Sequence, residues 1–226
     1  MGSVKRTYQS PLRQETARAT RTRIRTAAAE LFITHGYTAT TMRQIAKAAG
    51  VAERTVYATF ASKAELFGEV VGVTLVGDDL PVAVADRPQF REAIEAQDPR
   101  RALTLLVDYA TTLLERAGPL IMAAVHSSGA DADMRRFDAE GAKATAANAH
   151  TMAQALTRLD ALRAGVDVQR TADVLFTLSS PHVHHLLRQS CGWTVQQYRD
   201  WLLDTLARTL LDDRHTRPHA ASAEAD

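Results

Sequence analysis

Apolar residues at Ile24, Ala27, Ala28, Leu31 and Phe32 recur at three- and four-residue steps, the spacing of one helix face. Gly36 follows and supplies the left-handed residue that stops that helix. Thr41 with Gln44 is a capping box that opens a second, short helix interrupted at Gly50. A third short helix is predicted over about residues 52–58, and Ser62 with Glu65 opens a fourth that runs to about residue 75. After a mixed stretch with a short helix near residues 90–96, Asp98 and Pro99 start a helix that Gly118 and Pro119 are expected to break. A short apolar helix over residues 120–126 comes next, and Asp131 caps a long one to about residue 163. Residues 167–189 read as one helix kinked at Pro181. Thr194 with Gln197 caps a last helix, in which Tyr198, Trp201, Leu202, Leu206 and Leu210 trace one face. There is no strand alternation of useful length, no internal repeat and no zinc spacing, so the expected fold class is all-α.

Charge changes the picture. The formal net charge of +1 hides an asymmetry: residues 1–67 hold eleven Lys and Arg against four acids, and the remainder holds 16 against 22. A basic first third on an acidic body suggests a nucleic-acid-binding module attached to a part that does not bind nucleic acid, although basic patches also occur as plain solvated surface or attract acidic lipids. The single cysteine, Cys191, excludes an intramolecular disulfide and is expected to be inert. No apolar run approaches the ~18–20 residues of a membrane span, and none follows Lys5, Arg6 and Arg13 as a secretory leader would require. A cytoplasmic protein is expected.

A helix-turn-helix needs a small residue where two helices cross, a glycine in the tight turn, and apolar locks on the second helix. Ala46, Gly50, Val51 and Val56 supply these. Such pairs also occur in helical proteins that never touch DNA. The longer string is more specific: Ile24, Ala27, Ala28, Leu31, Phe32, Gly36-Tyr37, Thr40-Thr41-Met42, Ile45-Ala46, Ala49-Gly50-Val51, Thr55-Val56-Tyr57, Phe60, Ser62-Lys63 and Leu66-Phe67. Over about a fifth of the chain it resembles the DNA-binding domain of the TetR family of transcriptional regulators. The resemblance implies a three-helix DNA-binding domain over residues 21–67 and a helical ligand-binding and dimerisation domain over 68–213. A flexible basic arm (1–20) and a disordered tail (214–226) would flank them.

Residues 52–58 would then be the recognition helix lying in the major groove. Arg54 is expected to pair with guanine, Glu53 to accept from cytosine, and Thr55 to meet a thymine methyl or a phosphate. The resemblance also nominates Arg43 for base contact, and Thr41, Tyr57, Thr59 and Lys63 for phosphates. Each has a plainer reading: Glu53 and Arg54 as a solvated pair, Thr41 as a cap, Tyr57 as half-buried core. Ala52 stands where the family commonly has Ser or Thr, so this helix lacks a good N-cap.

For the larger domain the resemblance implies a two-fold dimer built from the last two helices. The candidate interface residues are Val174, Leu178, Val183, Leu186, Tyr198, Trp201, Leu202, Leu206 and Leu210. A ligand pocket among the middle helices would draw on Met122, His126, Phe137, His150, Met152 and Phe176, for each of which core packing is the competing reading. His182, His184 and His185 lack acidic or cysteine partners at matching spacing, so no metal is expected and no cofactor is implied. No nucleophile–base constellation points to an enzyme. The expected partners are double-stranded DNA with a near-palindromic operator, a small-molecule effector and a second copy of the chain. Repression released by the ligand is the leading expectation, with an activator or partner-responsive regulator of the same fold as the alternative.

Overall fold

The computed structural model describes residues 11–215, with side chains from residue 13. Among the described residues the fold is all-α, apart from an isolated bridge between Leu162 and Leu211. The chain divides into two units that meet between Gly72 and Val73.

The first unit contains α1 (Pro11–Ala39), α2 (Met42–Ala48), α3 (Glu53–Thr59) and most of α4 (Lys63–Val76). α1 begins inside the stretch expected to be a flexible arm, so residues 11–20 are helical rather than loose. Proline at a helix start loses no hydrogen bond. Residues 13–19 are all exposed, so this part of the helix has no apolar face for periodicity to reveal. Residues 1–10 of the expected arm and 216–226 of the expected tail lie outside the described residues. Gly36 breaks the regular helix at φ 76° and ψ 168°, a conformation that Gly alone adopts cheaply.

Ile24, Ala28, Phe32, Ile45, Val56, Phe60, Leu66 and Phe67 form the sealed interior of this unit. Phe32, Tyr37 and Phe67 make a three-ring cluster with centroids 5.0–5.7 Å apart.

The second unit holds α5 (Pro88–Glu95), α6 (Pro99–Ser127), α7 (Ala132–Arg158), α8 (Val168–Leu178), α9 (Pro181–His185), a π-helical turn (Leu186–Ser190) and α10 (Val195–Leu210). α6 departs from expectation by running straight through Gly118 and Pro119. Pro119 is exposed, while Leu114, Ala117, Gly118, Leu120 and Met122 around it are buried. Burying each large apolar side chain contributes about 1.5–3 kcal/mol, enough together to outweigh the ~3 kcal/mol of an internal proline.

α7 stops at Arg158, with Asp160 in the left-handed region at φ 49°. Nor is the expected helix over 167–189 merely kinked: it divides, because Ser180 caps a new start at Val183 N and Pro181 takes its first turn. Leu103, Val107, Met152, Leu156, Leu175, Tyr198, Leu202, Leu206 and Leu210 close the core between α6, α7, α8 and α10. Arg163 N donating to Leu210 O (2.8 Å) and Asp212 N to Ala161 O (3.0 Å) tie the end of α10 to the α7–α8 loop. Arg214 and His215 close a turn on Asp212.

Candidate nucleic-acid interface

α2 and α3 are too short to persist alone, and their surroundings hold them. Thr41 accepts from Gln44 N (3.2 Å) while the Gln44 side chain accepts from Thr41 N (2.7 Å), so the capping box is complete. Gly50, at φ 64°, makes the turn, and Val51 N reaches back to Ala46 O (3.0 Å). Val56 is the one fully buried residue of α3. α3 starts at Ala52 without a side-chain cap.

The rest of α3 faces outward. Glu53, Arg54, Tyr57 and Ala58 are exposed, and Thr55 and Thr59 are half-buried. Tyr57 is 52% exposed, which places it on the surface and not in the core. Arg43 on α2 is exposed as well, and neither it nor Arg54 makes an ion pair among the described residues. The Thr59 hydroxyl donates to Thr55 O (2.8 Å). Thr41 is exposed, its hydroxyl donating to Gln44 Oε1 (2.8 Å).

Lys63 has a structural task that the sequence reading missed. Its Nζ donates to Tyr37 O (2.9 Å) and Thr40 O (3.0 Å) and stands 4.1 Å from the Tyr37 ring centroid. The ammonium therefore closes the end of α1, where backbone carbonyls lack helical partners. Ser62 caps Glu65 N (3.0 Å), but the Glu65 carboxylate reaches Ala61 N (2.7 Å), one residue before the expected partner.

Arg21 on α1 was also unforeseen. It pairs with both carboxylate oxygens of Glu69, donates to Thr59 O (3.2 Å), and lies 4.4 Å from the Phe60 ring centroid. Arg25 reaches the same carboxylate (3.3 Å). The Arg21 hydrogen bonds hold the Glu69 carboxyl below its ordinary range against the opposing effect of burial. These contacts fix α1, α3 and α4 against one another, so α3 is presented on a braced scaffold.

The sequence model of the family described as "Bacterial regulatory proteins, tetR family" matches residues 24–70, which span this braced scaffold. Over residues 24–70 the chain matches the TetR-family N-terminal domain. A search of curated proteins gives no match. Among solved structures, NalD, the secondary repressor of the MexAB-OprM multidrug efflux pump in Pseudomonas aeruginosa, is similar at a TM-score of 0.65 and 25% identity, covering 88% of this chain and 99% of that one. SmeT of Stenotrophomonas maltophilia, in complex with triclosan, gives 0.69 and 18%, covering 92% and 99%. A transcriptional regulator from Saccharomonospora viridis in complex with choline gives 0.66 and 19%, covering 85% and 97%.

In the second unit, the expected pocket residues differ in burial. Met152 is sealed in the core and Phe176 packs against it. Met122 is buried on α6 and Phe137 half-buried on α7. His126 and His150 are exposed: the first meets the His185 ring edge-on at 6.1 Å, and the second lies 3.2 Å from the Gln154 amide. Their place is on the surface, because helix phase turns them from the buried side.

The expected interface residues also separate. Tyr198, Leu202, Leu206 and Leu210 are 0% exposed within a single chain and cannot face a second one. They are interior because α10 turns this stripe onto its own α6–α7–α8 core. Val174, Leu178, Val183 and Trp201 are half-buried, and Leu186 is 55% exposed.

Beside α10 lies a polar hub that the sequence reading did not find. Glu115 on α6 accepts from Arg188 Nε (2.6 Å), Arg188 Nη2 (3.0 Å) and His184 Nε2 (2.7 Å). Arg188 also donates to Trp193 O. The Arg188 hydrogen bonds hold the Glu115 carboxyl down. Burial pushes the His184 imidazole below its ordinary value and outweighs the pull of Glu115, which favours the uncharged ring, and Nε2 donates to the carboxylate. The four-residue spacing of His184 and Arg188 was the available signal, since it puts both on one helix face. The Tyr198 ring stands edge-on to His184 at 4.9 Å, and burial raises its phenol. Among the described residues its hydroxyl has no hydrogen-bond partner.

Among the described residues, no group of three or more His, Cys, Asp or Glu is placed to hold a metal. Nor is any described helix long and apolar enough to cross a membrane.

Proposed function

We propose that this chain is a TetR-family repressor that binds a near-palindromic operator as a two-fold dimer and is released by a small molecule. The observation that carries the reading is α3, a short helix held by one buried residue and presenting Glu53, Arg54 and Tyr57 to solvent. Arg54, without an ion-pair partner among the described residues, suits the O6 and N7 edge of guanine. Glu53 and Arg43 flank it as further base readers, and Thr41, Thr55, Tyr57 and Thr59 serve as phosphate contacts. Lys63, with two carbonyls already bound, contributes to DNA binding by steadying α1 and by its long-range charge.

Dimerisation rests on Val174, Leu178, Val183, Leu186 and Trp201, the apolar residues of the last helices that keep exposed surface. A two-fold axis makes such a patch self-complementary and sets two recognition helices on inverted half-sites. The residue divisions 21–67 and 68–213 serve as the DNA-binding part and the effector and dimer part. Repression and small-molecule control are drawn from NalD, described as a repressor, and from SmeT, bound to triclosan.

A ligand changes DNA affinity only by favouring one conformation, and DNA must then weaken the ligand by the same factor. Footprinting on DNA from beside the protein's own gene tests the reading. Two protected patches of inverted sequence, one or more helical turns apart, are expected. Protection that is absent, or a single unpaired patch, would sink it.

A further inference from the structure

We propose that the cleft between the N-terminal extension of α1 and the flank of α3 seats the phosphodiester backbone of duplex DNA, gripping the strand that borders the base-reading helix. This rests on the DNA-binding reading and adds a site to it.

The cleft is about 680 Å³, and its walls include Arg13, Thr16, Arg18 and Thr20 from α1 and Thr55 and Thr59 from α3. At 100° per residue, Arg13, Thr16, Ala17 and Thr20 share the face of Ile24, the side of α1 that is buried further along. Beyond the end of the core that same face carries one cation, Arg13, and the hydroxyls of Thr16 and Thr20 beside the small Ala17, while Arg18 borders it. It is thus turned toward α3 by the continuity of one helix.

Among the described residues no carboxylate lines the cleft. Glu69, which neutralises Arg21 and Arg25, leaves Arg13 and Arg18 without an ion pair among the described residues. The Arg21 contacts to Glu69, Thr59 O and Phe60 make the floor rigid before any ligand arrives.

Geometry selects the occupant. A helix is about 10–12 Å across with its side chains, and the major groove is ~12 Å wide. A helix lying in that groove therefore has a phosphate strand along each flank. Thr55 and Thr59 stand on one flank of α3, beside the outward face that carries Arg54. Arg13 and Arg18 on α1 and the Thr55 hydroxyl on α3 are donors of the kind that phosphate oxygens accept from, while the Thr59 hydroxyl is already given to Thr55 O.

The test uses the full chain with two duplexes of equal length, one from beside its own gene and one of random sequence. Two variants are made: Arg13→Ala with Arg18→Ala, and Ala17→Phe, which fills the cleft and changes no charge. All three positions are exposed, so thermal melts should match the unmodified protein. The double variant should bind both duplexes more weakly, with the slope of log K against log salt shallower by about 2, or ~0.9 per lost phosphate contact. Ala17→Phe should also weaken both and flatten the slope, and the preference between duplexes should stay unchanged in each variant.

The proposal fails if the double variant keeps the original affinity and slope while Arg54→Ala still loses sequence preference. It fails if Ala17→Phe binds normally, since the arginines would then act through diffuse charge, and it fails if the loss is confined to one duplex. If the unmodified protein binds neither duplex, the DNA-binding reading itself falls, and this site with it.

Discussion

Two helices of this protein invite opposite readings from their side chains. α3 has seven residues and one buried side chain, and it shows solvent a glutamate, an arginine and a tyrosine. α10 has sixteen residues with five buried, all on one stripe. A wide apolar stripe looks like a surface waiting for a partner. In α10 it is consumed by the same chain, with Tyr198, Leu202, Leu206 and Leu210 entirely inaccessible. The polar α3 keeps its outward face in solvent, because its neighbours supply the stability it lacks. An apolar pattern says how much a helix buries and is silent on which chain buries it.

The comparison breaks first at Leu206. Leu206→Glu places an unpaired charge at a fully buried position, which costs several kcal/mol. The variant should lose its cooperative thermal transition, whatever its oligomeric state. A Leu206→Glu protein that melts normally would return this stripe to the surface.

Leu186→Glu sharpens the contrast. Leu186 is 55% exposed, so the single chain should tolerate a charge there and melt within ~0.5 kcal/mol of the unmodified protein. At a two-fold interface the same charge appears twice without a partner, and sedimentation should shift strongly toward monomer. An unchanged dimer would move the interface away from the π-helical turn.

Smaller effects probe the interior beside α10. Burial depresses the His184 imidazole in the folded chain, so the unfolded chain binds more protons as pH falls. The stabilisation from neutral His184 is therefore present above the ordinary histidine value of about 6.5. It is lost as pH drops from there toward the lower folded value. Melting temperature should fall more steeply across this window in the unmodified protein than in His184→Gln; identical slopes would mean that the imidazole is not kept neutral.

The smallest expected effect is at Tyr198. Its buried hydroxyl has no hydrogen-bond partner among the described residues, so Tyr198→Phe removes an unsatisfied polar group. Equilibrium unfolding should show the variant equal to or slightly more stable than the unmodified protein. A loss of more than about 1 kcal/mol would mean that the hydroxyl does find a partner.

What could be read from sequence follows the reach of each signal. Local backbone chemistry was legible: the Thr41–Gln44 and Thr194–Gln197 boxes form, and Gly36 and Gly50 take positive φ where turns need it. Features decided by packing were not. Pro119 reads as a break and is carried through by the buried residues on either side. Pro181 reads as a kink and instead starts a new helix, because Ser180 is there to cap it. The solvated start of α1 has no apolar side, so periodicity could not extend the helix to Pro11.

At the candidate interface the same division holds. The residues of α3 stand out by their spacing after Gly50. The brace beneath them was invisible, because Arg21 and Glu69 lie 48 residues apart. Lys63 reads as a phosphate ligand at a helix start, whereas its ammonium is held by the carbonyls of Tyr37 and Thr40. The Glu115 hub depends on residues 69 and 73 positions away.

Base reading by α3 turns on Arg54. The decisive quantity is the affinity of Arg54→Ala for DNA from beside the protein's own gene, relative to a random duplex of equal length at fixed salt. Loss of about 1–3 kcal/mol on the first duplex, with little change on the second, is the predicted result. Equal losses on both would make Arg54 a phosphate contact at most and would contradict the account.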